Sequence, residues 1–105
     1  MPITYDPAKR EETLRDRGLD FKDADEVFAG PTLTRQDLRE DYGEDRYQTV
    51  GFLRGRTVFV VWTPRGDETR IISMRKANAS EQARLGQQFG EAGRDDGSGD
   101  RSPDR

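Results

Sequence analysis

Residues 46–63, RYQTVGFLRGRTVFVVWT, decide the fold. Arg46 to Leu53 is rich in strand formers, Arg54-Gly55 makes a two-residue turn, and Arg56 to Thr63 returns as a second strand, so the stretch reads as a β-hairpin. Val58-Phe59-Val60-Val61-Trp62 is apolar at every position, which requires cover on both faces and marks the central strand of a sheet. Downstream, Pro64-Arg65-Gly66-Asp67 turns the chain back into a third strand, Glu68 to Lys76. That strand runs into Asn78-Ala79-Ser80-Glu81, a capping box in which Asn78 caps a helix and Glu81 reaches back. The helix is expected over Ala79 to Phe89, weakened by Gly86 in its interior.

Upstream, Pro31 to Leu38 fits an edge strand, followed by the charged turn Arg39 to Asp45. Before it, Phe21, Ala24, Val27 and Phe28 recur at helical spacing behind the cap residue Asp20 and end at Gly30-Pro31. An earlier helix begins at Asp6-Pro7 and stops at Gly18. Its apolar content is thin, Ala8 and Leu14, so one narrow stripe is expected to cover the sheet. Thr4 and Tyr5 end a short extended segment before that helix. The fold class is therefore α+β: an antiparallel sheet of about four strands packed on two N-terminal helices, with a closing C-terminal helix. Residues 1–90 form a single domain, and residues 91–105, with no apolar residue after Ala92, read as a disordered polar tail.

Composition narrows the chemistry. With 30% hydrophobic and 37% charged residues in 105, the core must be concentrated in a few segments. The chain has no Cys and no His, which removes thiolate and imidazole both as metal ligands and as acid–base groups. No window approaches a membrane span, and the first residues lack the basic and apolar regions of a signal peptide. A cytoplasmic protein that contacts no membrane follows as the expectation. The net charge of -3 hides a division. Residues 1–45 sum to -6, residues 46–90 to +5, and residues 91–105 to -2, so a basic module follows an acidic one.

The basic half carries Arg70-Ile71-Ile72-Ser73-Met74-Arg75-Lys76-Ala77, a strand with cations at both ends beside a helix start, the composition of an anion-binding corner. A regular strand sets Arg70 on the face of Ile72 and Met74, and Arg75 on the face of Ile71 and Ser73. The two arginines converge only if twist, a bulge or the strand end re-aims one of them. Tyr47, next to Arg46, and Trp62 have the ring chemistry to stack on unpaired bases; Trp62, in the most apolar strand, reads first as core. Glu40, Asp41, Glu44 and Asp45 flank a glycine turn beside Arg39 and Arg46, which reads as a solvated turn. No metal and no cofactor are expected.

Four strings carry a family resemblance: Asp6-Pro7-Ala8-Lys9; Arg17-Gly18-Leu19-Asp20-Phe21 with Ala24 and Val27-Phe28; Arg46-Tyr47-Gln48-Thr49-Val50-Gly51; and Arg70 to Ala77 with Glu81. In this order and spacing the chain resembles the BrnT-type ribonuclease toxins of type II toxin-antitoxin systems, within the RelE-like group. The resemblance implies a RelE-like fold, RNA cleavage that inhibits translation, and neutralisation by a BrnA-like antitoxin in a 2:2 complex. Two positions depart from the family pattern: Arg17 stands where a His is common, and Leu85 where an aromatic is usual.

Metal-independent RNA cleavage uses the neighbouring 2′-OH as nucleophile, and the protein orients it, stabilises the phosphorane-like charge and assists the leaving 5′-oxygen. Arginine suits the middle task, because its planar fork matches phosphate oxygens at any ordinary pH. Its high pKa makes it a poor base, leaving deprotonation to a carboxylate, to Lys76 or to water. The expected catalytic residues are Arg70 and Arg75 as phosphate ligands with Lys76 and Arg17 as supporting cations. Arg46, Tyr47 and Ser73 are the expected RNA-binding residues. Arg17 in place of His also supports an alternative, a catalytically degenerate toxin-like module that acts as partner or co-repressor of a DNA-binding antitoxin.

Overall fold

The computed structural model describes residues 2–93, with side chains through residue 86. Five strands, β1 (Ile3–Tyr5), β2 (Leu33–Gln36), β3 (Tyr47–Leu53), β4 (Arg56–Arg65) and β5 (Glu68–Lys76), form one sheet in the order β1-β5-β4-β3-β2. The helices are α1 (Pro7–Arg17), α2 (Ala24–Ala29) and α3 (Ala79–Gly93), and a 3₁₀ turn, Phe21–Asp23, leads into α2. The α+β class holds, but the sheet has a fifth strand and is mixed. β1 pairs in parallel with β5, with Ile3 opposite Thr69 and Tyr5 opposite Ile71. Three residues carry too short a pattern to reveal a partner, and the N-terminal segment reaches its neighbour only through the tertiary fold.

Local signals account for most boundaries. Asp6 accepts a hydrogen bond from the Ala8 N–H at 2.9 Å with Pro7 at the first helical position, and Gly18 closes α1 in the left-handed region at φ 70°. At the β3–β4 turn Arg54 and Gly55 both have positive φ, 50° and 83°, the signature of the hairpin turn that matches strand twist. Asn78 Oδ1 accepts from the Glu81 N–H at 2.8 Å while Glu81 Oε1 accepts from the Asn78 N–H at 2.9 Å, so the capping box is complete. α3 continues to Gly93 rather than stopping at Phe89. From residue 94 on, the polar tail expected for residues 91–105 lies outside the described residues.

Cross-strand pairing divides the sheet into two faces, because directly opposed residues point the same way. One face carries Val58, Val60, Ile71, Met74 and Leu53, which pack with Leu19, Phe21, Ala24 and Val27 into the main core. The 3₁₀ turn and α2 cover this face. The expectation that α1 also covers the sheet with an apolar stripe is corrected: none of its residues is buried and Leu14 is exposed. Polar contacts fasten α1 instead. Arg10 donates to both Asp20 oxygens at 2.7 and 2.9 Å, and Arg17 Nη1 donates to the Met74 carbonyl at 2.7 Å.

The second face carries Val50 and Phe59, which with Ala77 form a smaller cluster joined by Leu33 and Leu85 of α3. The two clusters meet different parts of β5 because β5 is irregular. Val61 opposes Ser73 but Trp62 opposes Ile71, so Ile72 is an extra residue, a β-bulge. Ile71 and Met74, three apart, are thereby both buried in the main core. In a regular strand they would face opposite ways.

Candidate functional site

The same bulge brings the two arginines of β5 to one face. Arg70 opposes Thr63 and Arg75 opposes Phe59; these partners stand four residues apart on β4 and share its face. Both arginines therefore belong to the face opposite the main core. They remain separated by about 13 Å, four strand residues at the usual rise.

Arg75 stands at the wall of a cleft of about 400 Å³ between that face and α3. Leu33, Val50, Phe59 and Leu85 supply its apolar surface, and Arg35, Arg39, Arg75 and Arg84 its charge. β2 contributes Arg35, the β2–β3 loop Arg39, β5 Arg75 and α3 Arg84. Sequence reading missed Arg35, Arg39 and Arg84, since each alone looks like a solvated surface arginine. One signal was present: Glu81, Arg84 and Leu85 are spaced three and four apart, hence on one side of α3.

The four guanidiniums differ in how they are held. Arg75 Nη1 and Nη2 each donate to a Glu81 carboxylate oxygen at 2.8 Å, and its guanidinium carbon lies 4.3 Å from the Phe59 ring centroid. This fork holds the Glu81 carboxyl at about 2, well below its ordinary value, with the Asn78 N–H as the next cause. Arg39 donates through Nε and Nη2 to Asp37 at 2.7 and 2.6 Å, and the same fork lowers the Asp37 carboxyl to about 2. Tyr42 adds a hydroxyl bond to Asp37 at 3.3 Å. Arg35 donates only to the neutral Gln48 side chain at 3.3 Å, and Arg84 has no ion pair or hydrogen bond among the described residues. Among the described residues, two of these cations are thus in ion pairs and two are not, although Arg84 also helps to lower the Glu81 carboxyl. The result is a cleft with net positive charge and apolar walls, suited to an anion whose other parts are flat or apolar.

The remaining candidates fall elsewhere. Lys76, opposite Val58 at the last position of β5, belongs to the main-core side of the sheet and is exposed. Arg17 and Ser73 do meet, but in a separate depression of about 190 Å³ between α1 and β5 that also has Lys9, Glu12 and Asp16 in its rim. There Arg17 satisfies the Met74 carbonyl on the part of β5 beyond its last β1 pair. Arg46 pairs with Glu44 at 3.1 Å and lies 4.1 Å over the Tyr42 ring. Tyr47 stacks on Trp62 at a centroid distance of 5.0 Å, and Trp62 Nε1–H donates to Thr49 Oγ1 at 2.8 Å. Both rings belong to the main-core side, away from the cleft. Glu44 of the charged turn is engaged by Arg46 and by Arg65, the latter at 3.3 Å.

No helix among the described residues is long and apolar enough to cross a membrane. Compared with known protein families, residues 5–81 match the one described as "Ribonuclease toxin, BrnT, of type II toxin-antitoxin system". Among curated proteins no match is found.

Proposed function

Because the chain belongs to the BrnT family of ribonuclease toxins of type II toxin-antitoxin systems, we propose that it cleaves RNA in the arginine-lined cleft, without a metal, and so inhibits translation. The convergence of Arg35, Arg39, Arg75 and Arg84 from four separate segments carries this reading. Such a cluster stabilises the charge that develops on a phosphorane when a 2′-oxygen attacks the adjacent phosphorus. Arg75 is the central ligand, since its ring contact and carboxylate partner fix the fork before substrate arrives. Arg70, farther along the same face, binds a flanking phosphate.

A family of type II toxins implies a protein antitoxin. We further propose that a BrnA-like antitoxin covers the cleft with acidic or amphipathic segments, in a 2:2 complex in which the antitoxin supplies dimerisation, in the cytoplasm. The test is the purified chain freed of its partner. RNA cleavage that disappears with Arg75→Ala, together with loss of growth arrest by the same variant, is the expected result. Intact RNA from wild-type protein that folds and binds its partner would sink the proposal.

One observation favours a second reading, a degenerate module that binds an antitoxin and aids repression. Arg17, at the position where the resemblance expects His, is engaged with a backbone carbonyl outside the cleft. That reading requires the chain to leave growth unaffected while sharpening operator binding by the antitoxin.

A further inference from the structure

Arginines explain how the cleft holds a phosphate but leave the 2′-OH proton without an acceptor. One carboxylate lines the cleft among the described residues, Glu81, and its position is set twice. The helix cap fixes it through the Asn78 N–H at 2.9 Å, and Arg75 grips both of its oxygens at 2.8 Å. Arg75 is thus shared between two anions in turn. Its side chain is 40% exposed, so an incoming phosphate has access to the same fork that holds Glu81.

We propose that Glu81 is the general base of the cleft, masked by Arg75 in the free protein and released when a substrate phosphate takes over the Arg75 donors. The inference rests on the ribonuclease reading. A phosphate oxygen accepts from Arg75 Nη1 and Nη2 and displaces the carboxylate, which stays beside the site because the cap still holds it. Glu81 then takes the proton of the ribose 2′-OH, and the 2′-oxygen lone pair forms a bond to phosphorus. The phosphorus–O5′ bond breaks, and the departing oxygen takes a proton from water. The products are a 2′,3′-cyclic phosphate and a 5′-hydroxyl end, and Glu81 returns its proton to solvent.

The charges around Glu81 fit this sequence. Arg39 from the β2–β3 loop and Arg84 from its own helix stand around the Arg75–Glu81 pair. In the free cleft Arg75 holds the Glu81 carboxyl low, and no imbalance of charge favours its protonation. Once the fork is occupied by phosphate, whose own negative charge stands close by, proton affinity at Glu81 rises. A base that gains strength only when substrate is seated reacts little with other bound molecules.

The test uses the full chain, a short single-stranded RNA and single-turnover conditions. Glu81→Gln is the informative variant, because glutamine still accepts the Asn78 N–H in a capping box but cannot take a proton. The expected loss at saturating RNA is about 10²–10⁴-fold in cleavage rate, with RNA bound at least as tightly as by the wild type. A control, Trp62→Phe, lies on the main-core side of the sheet, away from the cleft; it is expected to cleave within about threefold of wild type. The pH profile adds a second readout: the acid limb of the wild-type rate disappears in Glu81→Gln. Wild-type cleavage matched by Glu81→Gln overturns the role of Glu81 alone, and so does a loss in Glu81→Gln that comes with a matching fall in its helical circular dichroism, which would assign the effect to the cap. Failure of wild-type protein to cleave any RNA overturns both this inference and the ribonuclease reading.

Discussion

Replacing Asp37 by asparagine isolates the carboxylate that fixes one wall of the cleft. Asp37 is only 7% exposed and accepts from the Arg39 Nε, Nη2 and backbone N–H at 2.7, 2.6 and 3.3 Å, and from the Tyr42 hydroxyl at 3.3 Å. Its pKa falls from 3.8 to about 2, chiefly through the Arg39 fork, a difference that would amount to roughly 2 kcal/mol if fully expressed. The Arg39 side chain is 65% exposed, however, so solvent screens the pair and about 1–2 kcal/mol is the expected loss for Asp37→Asn. For a domain of this size that lowers Tm by about 5–10 °C. Because the folded-state pKa is depressed, the contribution is complete above the unfolded value and is lost as pH falls toward the folded one; roughly half remains at pH 3. Thermal melts followed by circular dichroism at pH 7, 4 and 3 should therefore show a gap between wild type and variant that narrows at the lowest pH. A gap that stays constant to pH 3, or no gap at pH 7, would refute the assignment of this stabilisation to an ionised Asp37.

Three further outcomes follow from other parts of the molecule. Arg35→Ala and Arg84→Ala, each removing a cation that forms no ion pair among the described residues, should weaken RNA binding and lower the slope of log K against log salt by about 0.7 apiece; an unchanged slope would place RNA elsewhere. Gly51→Ala puts a Cβ 2.8 Å from Val27 Cγ1 and 3.2 Å from the Pro31 carbonyl, which should cost about 1–3 kcal/mol. A lower urea midpoint with unchanged slope is the readout, and an unmoved midpoint would mean that α2 shifts off β3 freely. Trp62→Phe deletes the 2.8 Å bond to Thr49 Oγ1 and should cost about 1 kcal/mol in the same titration. Since Trp62 lies away from the cleft, RNA affinity should not change.

Local chemistry was legible and long-range convergence was not. The hairpin turn at Arg54-Gly55, the stop at Gly18 and the capping box at Asn78 are written within a few residues each. The all-apolar Val58 to Trp62 run likewise announces the central strand. By contrast β1 declares no partner in three residues, and α1 resembles a core helix until Arg10 and Arg17 show that polar bonds hold it. Arg75 was legible because it stands between strand and helix. Its companions were hidden, since Arg35, Arg39 and Arg84 come from an edge strand, a charged loop and a helix surface, where arginine is ordinary. Arg46 and Tyr47 had the right chemistry for RNA, but pairing with Glu44 and stacking on Trp62 explain both.

The bulge at Ile72 shows why the site could not be separated from the core. Ile71 and Met74 both sit in the main core although three residues separate them, and in a strand of strict period two one of them would point outward. One extra residue resolves that conflict, and its geometric by-product is to reverse the relative facing of everything beyond it. Arg75 then emerges over Phe59 on the cleft side instead of being driven to the main-core side of the sheet with Val58 and Val60. Burying an arginine there would cost far more than the disruption of one ladder position. The apolar residues of β5 therefore demand the irregularity, and the cationic face results from it. Cleft and core place a joint constraint on this strand: a change that restores its regular alternation must either expose Ile71 or Met74 or withdraw Arg75 from the cleft.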